Sequence, residues 1–278
     1  MIRRSKWAIL PTLGVLLLFS TGCAKLESRD QLNKGVTAFR NNKYVDAVNH
    51  FKEALNLDPS SENARAYLAV SYMVQWVPGA ESKDNQKNYD MARKTFNDIL
   101  SKQPTNSMAL AYMASMAFQT AANGTDEQKH AALEEARKWN ERRIEVDPKD
   151  PEPYYYLGVI DWSEAFPAVR QARSEEKMKA DDPGPLKDAK VKDDLKSKYD
   201  AMIDSGLEQL NKCLTNDKEN EDAMSYMNLL YREKAALADN VDQAKDYVSK
   251  AESWADKSLE MRKIKASRPA KKQEEKAS

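Results

Sequence analysis

Residues 35–59, GVTAFRNNKYVDAVNHFKEALNLDP, decide the fold. Gly35, Ala38 and Phe39 share one helical face. After Asn41-Asn42-Lys43 come Tyr44, Ala47, Phe51, Ala54 and Leu55, spaced by three and four residues. That period predicts two short amphipathic helices around a tight turn. Asp58-Pro59 ends the second helix, because proline cannot continue it and restricts the residue before it. Small residues at Gly35, Ala47 and Ala54 allow the two helices to approach closely.

The same frame recurs down the chain. Leu68, Ala69 and Tyr72 begin a second pair, whose other helix carries Tyr89, Ala92, Phe96 and Ile99 and closes at Pro104. Met113, Ala114 and Ala117 pair with Ala136 and close at Asp147-Pro148, although Asn140 and Arg143 replace apolar positions there. Pro151 and Pro153 open a fourth pair, at a helix start where proline is welcome. Tyr154, Leu157 and Gly158 follow, and Gly206, Leu210 and Cys213 form the partner face. Met224, Met227 and Tyr231, then Ala251 and Ala255, make a fifth.

This arrangement resembles the tetratricopeptide repeat. Gly35, Tyr44, Ala47, Phe51, Ala54 and Pro59 match its order and spacing, as do Tyr72, Ala92, Phe96, Pro104, Ala136, Pro148, Tyr154, Leu157 and Gly158. The resemblance implies an all-α solenoid of about five helix hairpins over residues 30–262, each hairpin burying its apolar face against the next. In four of the five units the connection from the first helix (A) to the second (B) is longer than the family's, by about 11, 10, 36 and 11 residues against a 34-residue repeat. The longest insertion, near 164–199, contains the breaker Asp182-Pro183-Gly184-Pro185 between charged, helix-prone flanks. Helices that overrun the repeat, joined by an exposed turn, are expected there, either as solvated decoration or as a partner-docking edge.

The N-terminus reads as a targeting segment. Arg3, Arg4 and Lys6 precede an apolar run, WAILPTLGVLLLF, of secretory rather than membrane-spanning length. Ser20, Thr21, Gly22 and Cys23 follow. This resembles the bacterial lipoprotein signal, with Ser20 standing where Leu is usual. The resemblance implies removal of residues 1–22, acylation of Cys23 (palmitate among the chains) and a lipid-anchored protein with a linker over 23–29. Ala24 in place of Asp points to the outer membrane, facing the periplasm. With Cys23 lipidated, Cys213 has no intrachain partner. The charged tail, 263–278, reads as disordered.

Charged residues make up 32% of the chain, and the 44 basic and 44 acidic residues cancel. Nothing in that balance calls for nucleic acid. The two histidines, His50 and His130, lie in different repeats, and no nucleotide, zinc or nucleophile motif occurs. No catalytic residue, metal, cofactor or small-molecule substrate is expected.

In the tetratricopeptide family, helix A lines the inner face. Carried over, its contact positions are Val36 and Phe39, Val70 and Met73, Ser115 and Phe118, Val159 and Trp162, Leu229 and Arg232. Phe39, Met73, Phe118 and Trp162 are the expected partner-binding residues. The Lys, Asn and Arg set of the family's carboxylate clamp is absent. The apolar stripe is either a groove for a helix or extended apolar peptide, or core. The expected function is a lipid-anchored protein–protein scaffold; the alternative is a carrier with transient apolar clients.

Overall fold

The computed structural model describes residues 12–179 and 182–268, with side chains from Cys23 onward. Its regular elements are ten helices: α1 (Thr12–Arg40), α2 (Tyr44–Leu57), α3 (Glu62–Met73), α4 (Lys83–Lys102), α5 (Ser107–Thr120), α6 (Asp126–Val146), α7 (Pro151–Glu175), α8 (Ala189–Asn216), α9 (Glu221–Ala236) and α10 (Val241–Ser267). They form five consecutive hairpins. α1 packs on α2, α3 on α4, α7 on α8 and α9 on α10, and α5 meets α6 through Ala117, Leu133 and Ala136.

The links between hairpins show that the repeat is physical as well as statistical. Each is the same four-residue turn. Its last residue donates its N–H to the carbonyl of its first: Ser61 to Asp58 (3.1 Å), Asn106 to Gln103 (3.0 Å), Asp150 to Asp147 (3.2 Å) and Asn220 to Asp217 (3.3 Å). That last residue then caps the next helix, its side chain accepting from the N–H of Ala64, Ala109, Glu152 and Ala223 in turn. Such caps satisfy donors that a helix start leaves open. The first residue sits at φ −137°, −133°, −139° and −134° in the four turns. The joint at Asp217 has no proline and keeps the same form, because Asp217 Oδ1 accepts from the Glu219 N–H at 3.0 Å.

The chain divides into two compact units, residues 1–113 with 122–124, and residues 114–121 with 125–278. In the first, Ala47, Phe51, Ala54, Ala64, Ala69, Ala92 and Phe96 are fully buried. A Cβ on Gly35 would lie 2.5 Å from the Phe51 ring, so glycine sets the α1–α2 spacing. In the second, Tyr154, Ala165, Val169, Ile203, Leu210, Cys213, Met227 and Leu230 belong to one core. A Cβ on Gly158 would lie 2.5 Å from Leu210 and 3.1 Å from the Gly206 carbonyl. Burial pushes the Cys213 thiol up to about 12, which leaves it an inert core residue.

Hairpin three replaces two apolar positions with a polar network. Asn140 and Arg143 are buried. Asn140 donates to the Ala136 carbonyl at 2.9 Å. Arg143 donates to Asn140, to Asp150 at 2.9 Å and to Glu152. The guanidinium thus ties α6 to the capped start of α7, which offsets its burial.

Three boundaries differ from expectation. Residues 23–29, expected as a linker, are helical within α1. Ser28 is 2% exposed and its hydroxyl donates to the Ala54 carbonyl at 2.8 Å, which holds this turn on α2. The disordered tail does not begin at 263, since α10 runs to Ser267. Arg262 pairs with Asp222, Lys265 with Glu221 and Arg268 with Glu219, tying its last turns to the start of α9. The turn of the long insertion is not exposed throughout: Gly184 and Leu186 are buried. Of the expected signal peptide, residues 1–11 lie outside the described residues and the backbone from Thr12 continues α1; residues 269–278 of the tail also lie outside them.

Candidate functional site

The long fourth hairpin builds the most featured surface of the second unit. The inserted residues mostly lengthen helices, to 25 residues in α7 and 28 in α8, against 14 in α2 and 12 in α3. Within the connection 176–188, residues 184–186 fold onto the neighbouring α9. Leu186 N–H donates to the Ala236 carbonyl at 2.9 Å. Gly184 has φ +91°, and a Cβ there would lie 2.7 Å from the Ala235 carbonyl, so only glycine suits this approach. Arg173 donates to the carbonyls of Lys179 (3.1 Å) and Asp182 (2.8 Å). The Glu176 carboxylate accepts from Lys187 and Asp188 N–H.

Between this connection, α7, α9 and α10 lies a cleft of about 460 Å³. Phe166, Leu229 and Val248 supply apolar wall. Arg170, Arg173, Lys179 and Arg232 bring positive charge, against Asp182 and Glu233. Glu233 is only 7% exposed. Burial raises its carboxyl to about 8, although Arg173 and the Trp162 indole oppose the shift. The indole Nε1 of Trp162 is buried and points at Glu233 without completing a hydrogen bond of good geometry.

A run of half-buried rings leads to this cleft. Phe118 meets Tyr156 edge-on at 5.6 Å, Tyr156 meets Tyr155 at 5.3 Å and Tyr155 meets Tyr226 at 5.7 Å. Tyr226 meets Trp162 at 5.4 Å, and Trp162 stacks on Phe166 at 4.5 Å. Burial raises the Tyr155, Tyr156 and Tyr226 hydroxyls, which therefore keep their protons at neutral pH.

In the first unit, Phe39 meets Tyr44 and Tyr67 edge-on at 5.3 and 6.0 Å. Tyr67, Val74 and Val77 are 36%, 44% and 59% exposed. Met73 is half-buried, as are Val36 and Val70.

No protein-family model and no curated protein sequence matches the chain. Among solved structures, it is similar to a double mutant of MamA from RS-1, with a TM-score of 0.53 and 14% identity, covering 87% of this chain and 97% of that one. MamA from residue 41 to its end, from Desulfovibrio magneticus RS-1, gives 0.52 and 15% identity over 87% and 98%. A further crystal structure of MamA gives 0.51 and 18% over 84% and 96%.

The fold is a tetratricopeptide-type α-solenoid. In its frame, the inner-face positions do not all stay accessible. Val159 is 3% exposed and belongs to the core. Phe118 and Trp162 are half-buried and flank two core clusters. Leu229 and Arg232, the tetratricopeptide positions of the fifth hairpin, line the cleft. The sequence reading passed over Tyr155, Tyr156, Phe166, Arg170, Arg173 and Glu233. Phe166, Arg170 and Arg173 lie four, eight and eleven residues after Trp162, a helical stripe that continues the inner face beyond the usual repeat length. His50 and His130 are apart, one beside Gln31 and one beside Glu164. Among the described residues no group of metal-ligating side chains assembles.

Proposed function

We propose that this chain is a non-enzymatic protein–protein interaction scaffold, held on a bacterial envelope membrane by a lipid on Cys23. The ring-lined face of the second unit binds a helix or an apolar peptide. The observation that carries the reading is the run of partly buried aromatic rings from Phe118 to Phe166. Such rings give large contact area at low entropic cost, and interaction sites are enriched in them.

The anchor rests on the resemblance of residues 1–23 to a lipoprotein signal. The Cys23 side chain is exposed, and among the described residues no helix is long and apolar enough to cross a membrane. The outer membrane, facing the periplasm, is the proposed location, on the strength of Ala24.

Photo-crosslinking residues in place of Phe118 and Tyr226, used in intact envelopes with mass spectrometry of the adducts, test the scaffold. One dominant protein at both positions is expected. Many faint adducts would replace the scaffold with a carrier of transient clients, and no adducts would overturn binding at this face. For the anchor, Cys23→Ser should release the chain from the membrane fraction and abolish labelling by an alkynyl palmitate analogue. Unchanged partitioning without labelling of the native chain would refute it.

A further inference from the structure

We propose that the cleft between α7, α9 and the 176–188 connection recognises an acidic side chain of the partner peptide, flanked by an aliphatic one. This rests on the scaffold reading and assigns the chemistry of the partner. The inner-face positions Leu229 and Arg232 supply one wall, and the overlong α7 with its connection supplies another that a hairpin of regular length lacks.

Charge is the first argument. Elsewhere in the second unit, Arg137, Arg143, Arg262 and Arg268 each pair with a carboxylate. At the cleft, Arg170, Arg173 and Arg232 close no ion pair with a described carboxylate. Arg173 spends its guanidinium on two carbonyls of the connection. Arg232 uses Nε on Asn228 at 3.1 Å. Arg170 lies over the Phe166 ring at 5.9 Å. Arg170 and Arg232 are both exposed and line the opening. A guanidinium fork left in this way matches a carboxylate.

Glu233 supplies the second argument. It is a buried carboxyl in the lining of the same cleft, and burial holds it largely protonated at neutral pH. In that form it adds no negative charge and can donate to an incoming oxygen. The groups facing it are Trp162, Arg170 and Arg173 from α7, Arg232 from α9, Lys179 and Asp182 from the connection, and Val248 from α10. Above a pH of about 8 its ionisation sets a like charge beside the bound carboxylate, so binding weakens there.

Shape decides between an acidic peptide and a small anion. A cleft of about 460 Å³ with Phe166, Leu229 and Val248 in its wall is too large and too apolar for inorganic phosphate alone. It suits two adjacent side chains, one charged and one aliphatic. Phe166 is also the last ring of the aromatic run, so a segment lying along that run ends at the arginines.

An array of random ten-residue peptides, probed with the detergent-purified full chain, tests this. Retained peptides should be enriched in Asp or Glu next to Leu, Ile or Val. Replacing the acid by its amide in the best peptide should weaken binding ~10-fold. The double variant R170E/R232E, with unchanged circular dichroism, should do the same to the native peptide. E233Q should remove the fall in affinity between pH 7 and pH 9. Retention of apolar peptides without acid preference would overturn the inference and leave the scaffold standing. No retained peptide would overturn both. A response to inorganic phosphate or to phosphatidylglycerol vesicles that R170E/R232E abolishes, without peptide preference, would reassign the cleft to a phosphate group.

Discussion

The first and fourth hairpins start from the same crossing and end differently. In the first, Gly35 sits against Phe51, and the chain reverses within Asn41–Lys43, where Asn42 takes φ +58°. In the fourth, Gly158 sits against Leu210 and Gly206, and both helices run on past the crossing before the 176–188 connection turns them. The crossing fixes how close two helices come. It does not fix how long they are. A short hairpin satisfies only its neighbours by packing its faces. The long one carries spare length, and that length builds the cleft over α9.

The largest test of this contrast is Phe51→Ala. Phe51 is fully buried and its ring packs against Gly35, so its loss should cost ~3–5 kcal/mol. Hydrogen exchange should speed up in α1–α4 and stay slow in α7–α10; equal acceleration in both units would break the comparison.

Leu186→Ala comes next. Leu186 is 3% exposed although it lies in a connection, and its truncation should cost ~2–4 kcal/mol. Limited proteolysis near Leu186 should then be faster than in the native chain. Equal cleavage of both proteins would mean that the connection is not docked.

Glu233 gives a pH-dependent effect. Its carboxyl is raised from 4.5 to about 8 in the folded chain. The folded state therefore holds a proton that the unfolded state has lost across that window, and stability falls as pH rises through it. Glu233→Gln should match the native chain near pH 4 and exceed it at pH 9 by on the order of 4 kcal/mol, read by urea unfolding. The gain should appear in the second unit alone, since the Asp58 carboxyl of the first is held down by its hydrogen bonds from Ser60. A constant difference at all pH values would show that Glu233 is not protonated when buried.

Ser28→Ala is the mildest. It removes one buried hydrogen bond to Ala54 and should cost ~1 kcal/mol. No change in melting temperature would return residues 23–29 to the status of a linker.

Much of the frame was legible in the sequence because helical spacing reports burial directly. Tyr44, Ala47, Phe51 and Ala54 could face only one neighbour, and Asp58-Pro59 marked the end. The Asp217 joint was harder, because its form comes from an aspartate side chain and a capping asparagine rather than proline. Leu186 was illegible: it is one apolar residue among prolines and charges, and its burial depends on the end of α9. Glu233 and Lys234 read as surface in YREKAA, yet each is 7% exposed. α9 packs against α7, α8 and α10, so its polar positions are enclosed too. Lys234 answers this by pairing with Asp200 and Asp204, both at 2.8 Å. Glu233 answers it by keeping its proton.

The bond from Leu186 to Ala236 also bears on how such a chain can be shortened. Repeat arrays gain and lose whole units because each unit relies mainly on its nearest neighbours. Here the fourth unit's own connection is finished by the fifth unit's helix. Cutting the chain after Asn216 would bare Gly184 and Leu186 and remove one wall of the cleft. The last two hairpins are thus a single heritable piece, to be kept or discarded together.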